Sequence, residues 1–204
     1  MVFTKNGIVP LSQFCLININ KMKATLKVQL LEQLEAQIEG HLQTVTGRLQ
    51  NLEEKILLRP AAHGGWSIAQ CLEHLNSYGR YYLPAIEKGL RSVALNHPIT
   101  GTVKGTWLGR YFTRSMQPGL NAKKYKAPKD HSPLPGLDAA KVLSDFIGQQ
   151  EQLLAYVRKA RTADLDKIRI PISISKWIRL RLGDVFQFLV VHDERHLQQA
   201  MRHL

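Results

Sequence analysis

"LGDVFQFLVVHDERHLQQ", residues 182–199, lies near the C-terminal end of this 204-residue chain and reads as a core helix. Gly183 and Asp184 supply its start signal: Asp184 is a suitable N-cap, and Gln187 stands three residues on, at the capping-box position. Val185, Phe188 and Leu189 make an apolar face, which His192, His196, Gln199 and His203 continue at helical spacing. Two imidazoles one turn apart on such a face are open to three readings: a metal clamp, a pair of satisfied core histidines, or surface decoration. Burying an unsatisfied polar group costs about 1–3 kcal/mol, and a single cation would satisfy both rings. The i, i+4 pair does not choose by itself.

The stretch "GGWSIAQCLEHL", residues 64–75, opens a second helix that runs to about Arg91. Ser67 is its expected N-cap, and Gln70 holds the capping-box position. Trp66 and Cys71 are placed for a hydrophobic staple. His74 follows Ser67 by about two turns, on a face with Cys71 and Tyr78. A third neutral imidazole beside the downstream pair would leave one coordination position open, the arrangement of catalytic rather than structural zinc.

The remaining chain supplies two more helices. From Met22 to about Leu58, apolar residues recur at threes and fours through Leu26, Leu30, Leu34, Ile38, Leu42, Val45, Leu49 and Leu52. Pro60 and the Gly64–Gly65 pair end this pattern. Helical periodicity returns from Asp138 through Val142, Phe146, Leu153 and Val157. Between the second and third long helices, residues 92–137 form a proline-rich connection in which "TWLGRYF" (106–112) has room for one short helix. Residues 162–182 alternate Ile168, Ile170, Ile172 and Ile174, an extended pattern. The expected fold is all-α: a four-helix bundle with a long crossover between its second and third helices. Residues 1–21 are expected to be a poorly ordered extension, and 22–204 the single domain.

Composition narrows the function classes. No apolar run approaches the roughly 18–20 residues of a membrane-spanning helix. Two cysteines, Cys15 and Cys71, make no disulfide framework, which points to a cytoplasmic protein. The formal net charge of +12 favours anionic partners. Residues 101–129 hold seven Lys or Arg and no acid. They form no nucleic-acid-binding motif, and Trp107, Tyr111 and Phe112 read as core or as stacking platform alike. Nucleic acid is therefore not the expected partner.

Taken together, "GGWSIAQCLEHL" and the downstream "LGDVFQFLVVHDERHLQQ" resemble the DinB-like superfamily of metal-binding four-helix bundles, which includes YfiT-like metal-dependent hydrolases and bacterial thiol transferases. The resemblance spans residues 22–204. It implies a metal triad of His74, His192 and His196, with zinc or nickel expected and iron or manganese as alternatives. It also implies a small-molecule substrate or a low-molecular-weight thiol, and bundles of this type often pair as homodimers. The chemistry implied is metal-dependent hydrolysis or thiol transfer. The alternative is a non-catalytic binding or stress-associated scaffold whose metal is structural or absent, and which meets anionic partners through its basic surface.

One position departs from the family pattern. Cys71 stands where an aliphatic residue is usual, and a buried hydrophobe is favoured there over a reactive thiolate. Gln199 is placed to hydrogen-bond behind His196, as a support for a ligand or as a polar core contact. Asp193 and Glu194 turn about 100 and 200 degrees away from His192, towards an expected solvated face. Tyr78 and Tyr81 are candidates to line a cavity, with core packing favoured. His41, His63, His97 and His131 have no partner at metal spacing, and His203 sits beside the C-terminus, where fraying is expected.

Overall fold

The computed structural model describes residues 25–61, 64–93, 96–119 and 125–204. The extension expected at 1–21 and His63 lie outside these residues. In chain order the helices are α1 (Lys27–Arg48), α2 (Glu54–Leu58), α3 (Ile68–Arg91), α4 (Trp107–Met116), α5 (Ala139–Lys159) and α6 (Leu182–Met201). The four long ones, α1, α3, α5 and α6, pack as the expected bundle, and residues 92–138 cross over from α3 to α5. No helix among the described residues is long and apolar enough to cross a membrane.

Local chemistry explains most boundaries. Ser67 accepts from the Gln70 amide at 3.1 Å while Gln70 Oε1 accepts from the Ser67 amide at 3.0 Å, which completes the capping box at α3. Asp138 caps α5 by accepting from the Lys141 amide at 2.9 Å. The extended pattern at 162–182 becomes a hairpin of β3 (Arg169–Ile172) and β4 (Ser175–Arg181), with Ile170 opposite Leu180. Ile168, Ile170 and Ile172 point into the core, whereas Ile174 is exposed. The two-residue strands β1 (Thr25–Leu26) and β2 (Thr102–Val103) tie the crossover to the start of α1.

The first helix is shorter than its apolar period predicts. It ends at Arg48, and the chain turns before α2 begins at Glu54. The pattern continues across the break because Leu49 and Leu57 both sink into the cluster around Leu72 and Phe146. Burial, not helix, keeps the period.

Asp184 also departs from its expected role. Helix α6 starts at Leu182, and its N-cap, Arg181, makes no side-chain cap bond. Asp184 is a buried residue inside the first turn. It accepts from the Thr106 amide at 3.1 Å and from the Thr106 hydroxyl at 2.7 Å. Thr106 is itself the N-cap of α4, and its Oγ1 accepts from the Gly109 amide at 2.9 Å. Gly109 occupies the position where a capping box would put Glu or Gln, and a methyl there would run into the Asp184 side chain. The box is thus closed in trans by a carboxylate from α6. Gln187 bonds the Gly183 carbonyl instead of capping. In α4, Trp107 and Tyr111 are 72% and 58% exposed, while Phe112 packs on the core.

The core has two apolar clusters with a polar layer between them. One gathers Leu30–Ile38 of α1, Tyr78–Leu90 of α3, Leu153–Val157 of α5 and Leu182–Val190 of α6. The other gathers Val45, Ile68–Leu75, Ala139–Phe146, and Leu197 with Ala200. Each long helix crosses from one cluster to the other through a buried polar residue. These are His41 on α1, His74 and Asn76 on α3, Gln150 on α5, and His192 and Asp193 on α6.

Replacing Asp184 with Ala is expected to lower stability by about 1–3 kcal/mol, since the Thr106 donors lose their acceptor. Urea denaturation reads this as a lower midpoint, and an unchanged midpoint would rule out the trans cap.

Candidate metal centre

Two of the layer's imidazoles, His74 and His192, meet His196 between α3 and α6. One ring nitrogen from each of His74, His192 and His196 lies within 4.8 Å of the others. The ring centroids are 4.6–5.0 Å apart. His74 and His192 are buried, and His196 is half-buried.

Hydrogen bonding sets which nitrogens carry lone pairs. His74 Nδ1 lies 2.7 Å from the carbonyl oxygen of His131. A carbonyl only accepts, so Nδ1 carries the proton and Nε2 is bare in the neutral ring. His196 Nδ1 lies 3.0 Å from Gln199 Oε1, which leaves its Nε2 bare by the same rule. His192 Nε2 faces His74 Nε2 at 3.2 Å, while the buried His192 Nδ1 has no partner among the described residues. Two nitrogens bound to one tetrahedral ion at about 2.0–2.1 Å stand about 3.3 Å apart. The 3.2 Å between His74 Nε2 and His192 Nε2 matches that span, and three imidazole nitrogens within 4.8 Å of one another are a donor set suited to a divalent ion.

The electrostatics agree. Burial lowers the His74 pKa to about 4 although the His131 carbonyl pulls the other way. Burial, then the neighbouring His74, lowers His196 to about 3. Burial first, then His196 and His74, hold His192 well below the ordinary imidazole range. All three rings are neutral at neutral pH, the form in which imidazole ligates.

Aromatic rings wall the cluster. Trp66 stands 4.8 Å from the His74 ring and 5.8 Å from that of His196. Tyr78 meets His192 edge-on at 4.5 Å, and Phe188 stacks on it at 5.5 Å. The cluster opens into a cavity of about 1470 Å³. Tyr78 and Tyr82 line this cavity, but Tyr81 does not: its hydroxyl donates to the Ile172 carbonyl at 3.1 Å. His203 lies at the cavity wall.

The other candidates separate clearly. Gln199 bonds His196, as its spacing predicts. Cys71 is fully buried, its thiol pushed up to about 12 by burial, and it stands outside the ligand cluster. Asp193, expected on a solvated face, is buried and accepts from Gln150 Nε2 at 2.9 Å. Asp193 lies about 100 degrees round the helix from His192, on a face that meets Gln150 of α5 rather than solvent. Glu194 pairs with His41 at 3.0 Å. His131 was missed by spacing arguments: its carbonyl orients His74, its ring stacks on Tyr78 at 3.9 Å, and its Nδ1 bonds the Ser77 hydroxyl at 2.9 Å.

The profile of the DinB superfamily matches residues 37–200, and the chain belongs to that superfamily. No curated protein matches it. Among solved structures, YfiT from Bacillus subtilis is described as a probable metal-dependent hydrolase with an unusual four-helix bundle topology. It superposes with a TM-score of 0.46 at 13% identity, over 98% of this chain and 91% of that chain.

A pH dependence follows for the metal-free protein. Each ring holds its proton more weakly folded than unfolded, so unfolding takes up protons in acid. Stability is expected to fall as the pH drops from 6.5 towards 4, because all three rings have lowered pKa values in the folded protein. The urea midpoint should drop between pH 7.5 and pH 5, and drop less in a His196→Ala protein. Equal drops in both would contradict the burial of a neutral ring.

Proposed function

We propose that this chain is a cytoplasmic, divalent-metal-dependent enzyme whose domain, residues 22–204, acts on a small molecule. The observation that carries the reading is the convergence of three neutral imidazoles, two with Nδ1 tied down, at the wall of a large aromatic cavity. His74, His192 and His196 would hold the ion, with zinc or nickel preferred by three nitrogen donors. When bound, such an ion supplies Lewis acidity, which brings a water or a thiol into its ionised form near neutral pH.

The chain's own residues do the rest. The His131 carbonyl and Gln199 fix the ring orientations of His74 and His196. Trp66, Tyr78 and Phe188 exclude water from the ligand side. Tyr78, its hydroxyl pushed up to about 12 by burial and then by Tyr82, stays protonated and serves as a hydrogen-bond donor rather than a base. No Asp or Glu is among the described residues that line the cavity. An ion held by His74, His192 and His196 would supply the Lewis acidity for either hydrolysis or transfer of a low-molecular-weight thiol to an electrophile.

Metal content by elemental mass spectrometry on untagged protein tests this reading. About one divalent ion per chain is expected, lost in His192→Ala/His196→Ala and in His74→Ala. Gln199→Ala should keep the site but weaken affinity about 10- to 100-fold. A wild type that stays empty after addition of zinc, nickel, manganese or iron would return the histidines to the core. Loaded protein assayed against ester and amide hydrolysis, and against thiol plus electrophile, separates the two chemistries.

A further inference from the structure

The wall of the cavity is cationic as well as aromatic. Arg59, Lys126, Arg195 and Arg202 line it, and no carboxylate does among the described residues. Arg59, Lys126 and Arg202 make no ion pair with any described carboxylate. They are exposed at the opening, and Arg59 reaches across to the His203 carbonyl at 3.2 Å.

Arg195 sits deeper. It precedes His196 on α6, is half-buried, and places Nη1 3.3 Å from the Ser115 carbonyl of α4. Its charge also opposes protonation of His192 and His196. Residues 195, 198, 199 and 202 share one helical face, so two guanidinium groups and two amides form a row along the cavity wall. Arg202 lies six residues past His196, about 9 Å further along the helix axis.

We propose that the cavity selects small organic oxyanions, compounds with an apolar body and a carboxylate or phosphate group, which the arginine row and Lys126 recognise. The inference rests on this cavity being the substrate site of the proposed enzyme. Its physical basis is charge: Arg59, Lys126 and Arg202, with no described carboxylate paired to them, stand at the mouth of an aromatic-walled cavity and draw anions in while disfavouring cations. Guanidinium groups also donate to carboxylate and phosphate in a bidentate fork. The basic excess of the whole chain adds to the attraction at long range.

Two fluorescent probes of nearly the same shape test it: anilinonaphthalene sulfonate, an anion, and phenyl naphthylamine, which is neutral. The sulfonate is expected to bind the wild-type protein with an affinity that falls as salt rises. The exposed triple substitution Arg59→Gln/Lys126→Gln/Arg202→Gln should weaken it about ten-fold or more, the loss expected for a charge-assisted contact. The neutral probe should be unaffected.

Displacement of the sulfonate by phenyl phosphate alone assigns a phosphoryl group, and displacement by benzoate alone assigns a carboxylate. Displacement by neutral benzyl alcohol as readily as by these anions, or unchanged sulfonate binding in the triple variant, overturns the proposal. The His192→Ala/His196→Ala protein separates the two readings. Sulfonate binding kept while metal is lost leaves anion selection standing even if the metal assignment fails.

Discussion

A polar layer across the middle of an apolar bundle is the constraint that organises this protein. His41, His74, Asn76, Gln150, His192 and Asp193 come from all four long helices and are all buried at the level where the two apolar clusters meet. Burying so many polar groups is costly unless each finds a partner, and the partners dictate the surroundings. The crossover must bring His131 to α3 so that its carbonyl can accept the hydrogen bond from His74 Nδ1. Helix α5 must present Gln150 to Asp193. Helix α6 serves both sides of the layer, with His192 facing the cavity and Asp193 facing α1 and α5.

Both sides leave buried polar atoms without a partner among the described residues: His41 Nδ1, Asn76 Oδ1 and Gln150 Oε1 on one, His192 Nδ1 on the other. Around Asp193, the Gln150 amide donates at 2.9 Å, and burial raises the Asp193 carboxyl to about 6 against His41 and that hydrogen bond, with Glu194 adding to the rise. That side is a structural network. On the histidine side, the orienting bonds go to Nδ1 of His74 and of His196, and the Nε2 atoms remain for something else. Neutral rings, fixed tautomers and an aromatic wall are what a nitrogen-ligated divalent ion requires. The same arrangement has little to offer a merely hydrophobic core, which would be served more cheaply by leucine.

Much of this was legible from residue order. Ser67 and Gln70 announce the start of α3 because capping chemistry is local. The His192–His196 spacing places two rings on one helix face by geometry alone. What failed was non-local. Asp184 looks like an N-cap because acids suit both N-cap and first-turn positions, and only the fold shows that it closes the cap of α4. Asp193 looks solvated because a helical wheel does not tell how many neighbours cover the helix. The His131 contribution is a backbone carbonyl, which no side-chain pattern encodes. The break after Arg48 was hidden because Leu49 and Leu57 stay apolar through the turn.

The central claim is that His74, His192 and His196 share one ion. The most direct measurement is a crystal structure of zinc-loaded protein with anomalous data collected on both sides of the zinc absorption edge. The account predicts one edge-dependent peak between α3 and α6, in contact with a ring nitrogen of each of the three histidines. A zinc-loaded crystal with no peak there, or with zinc held only by surface residues, would contradict it.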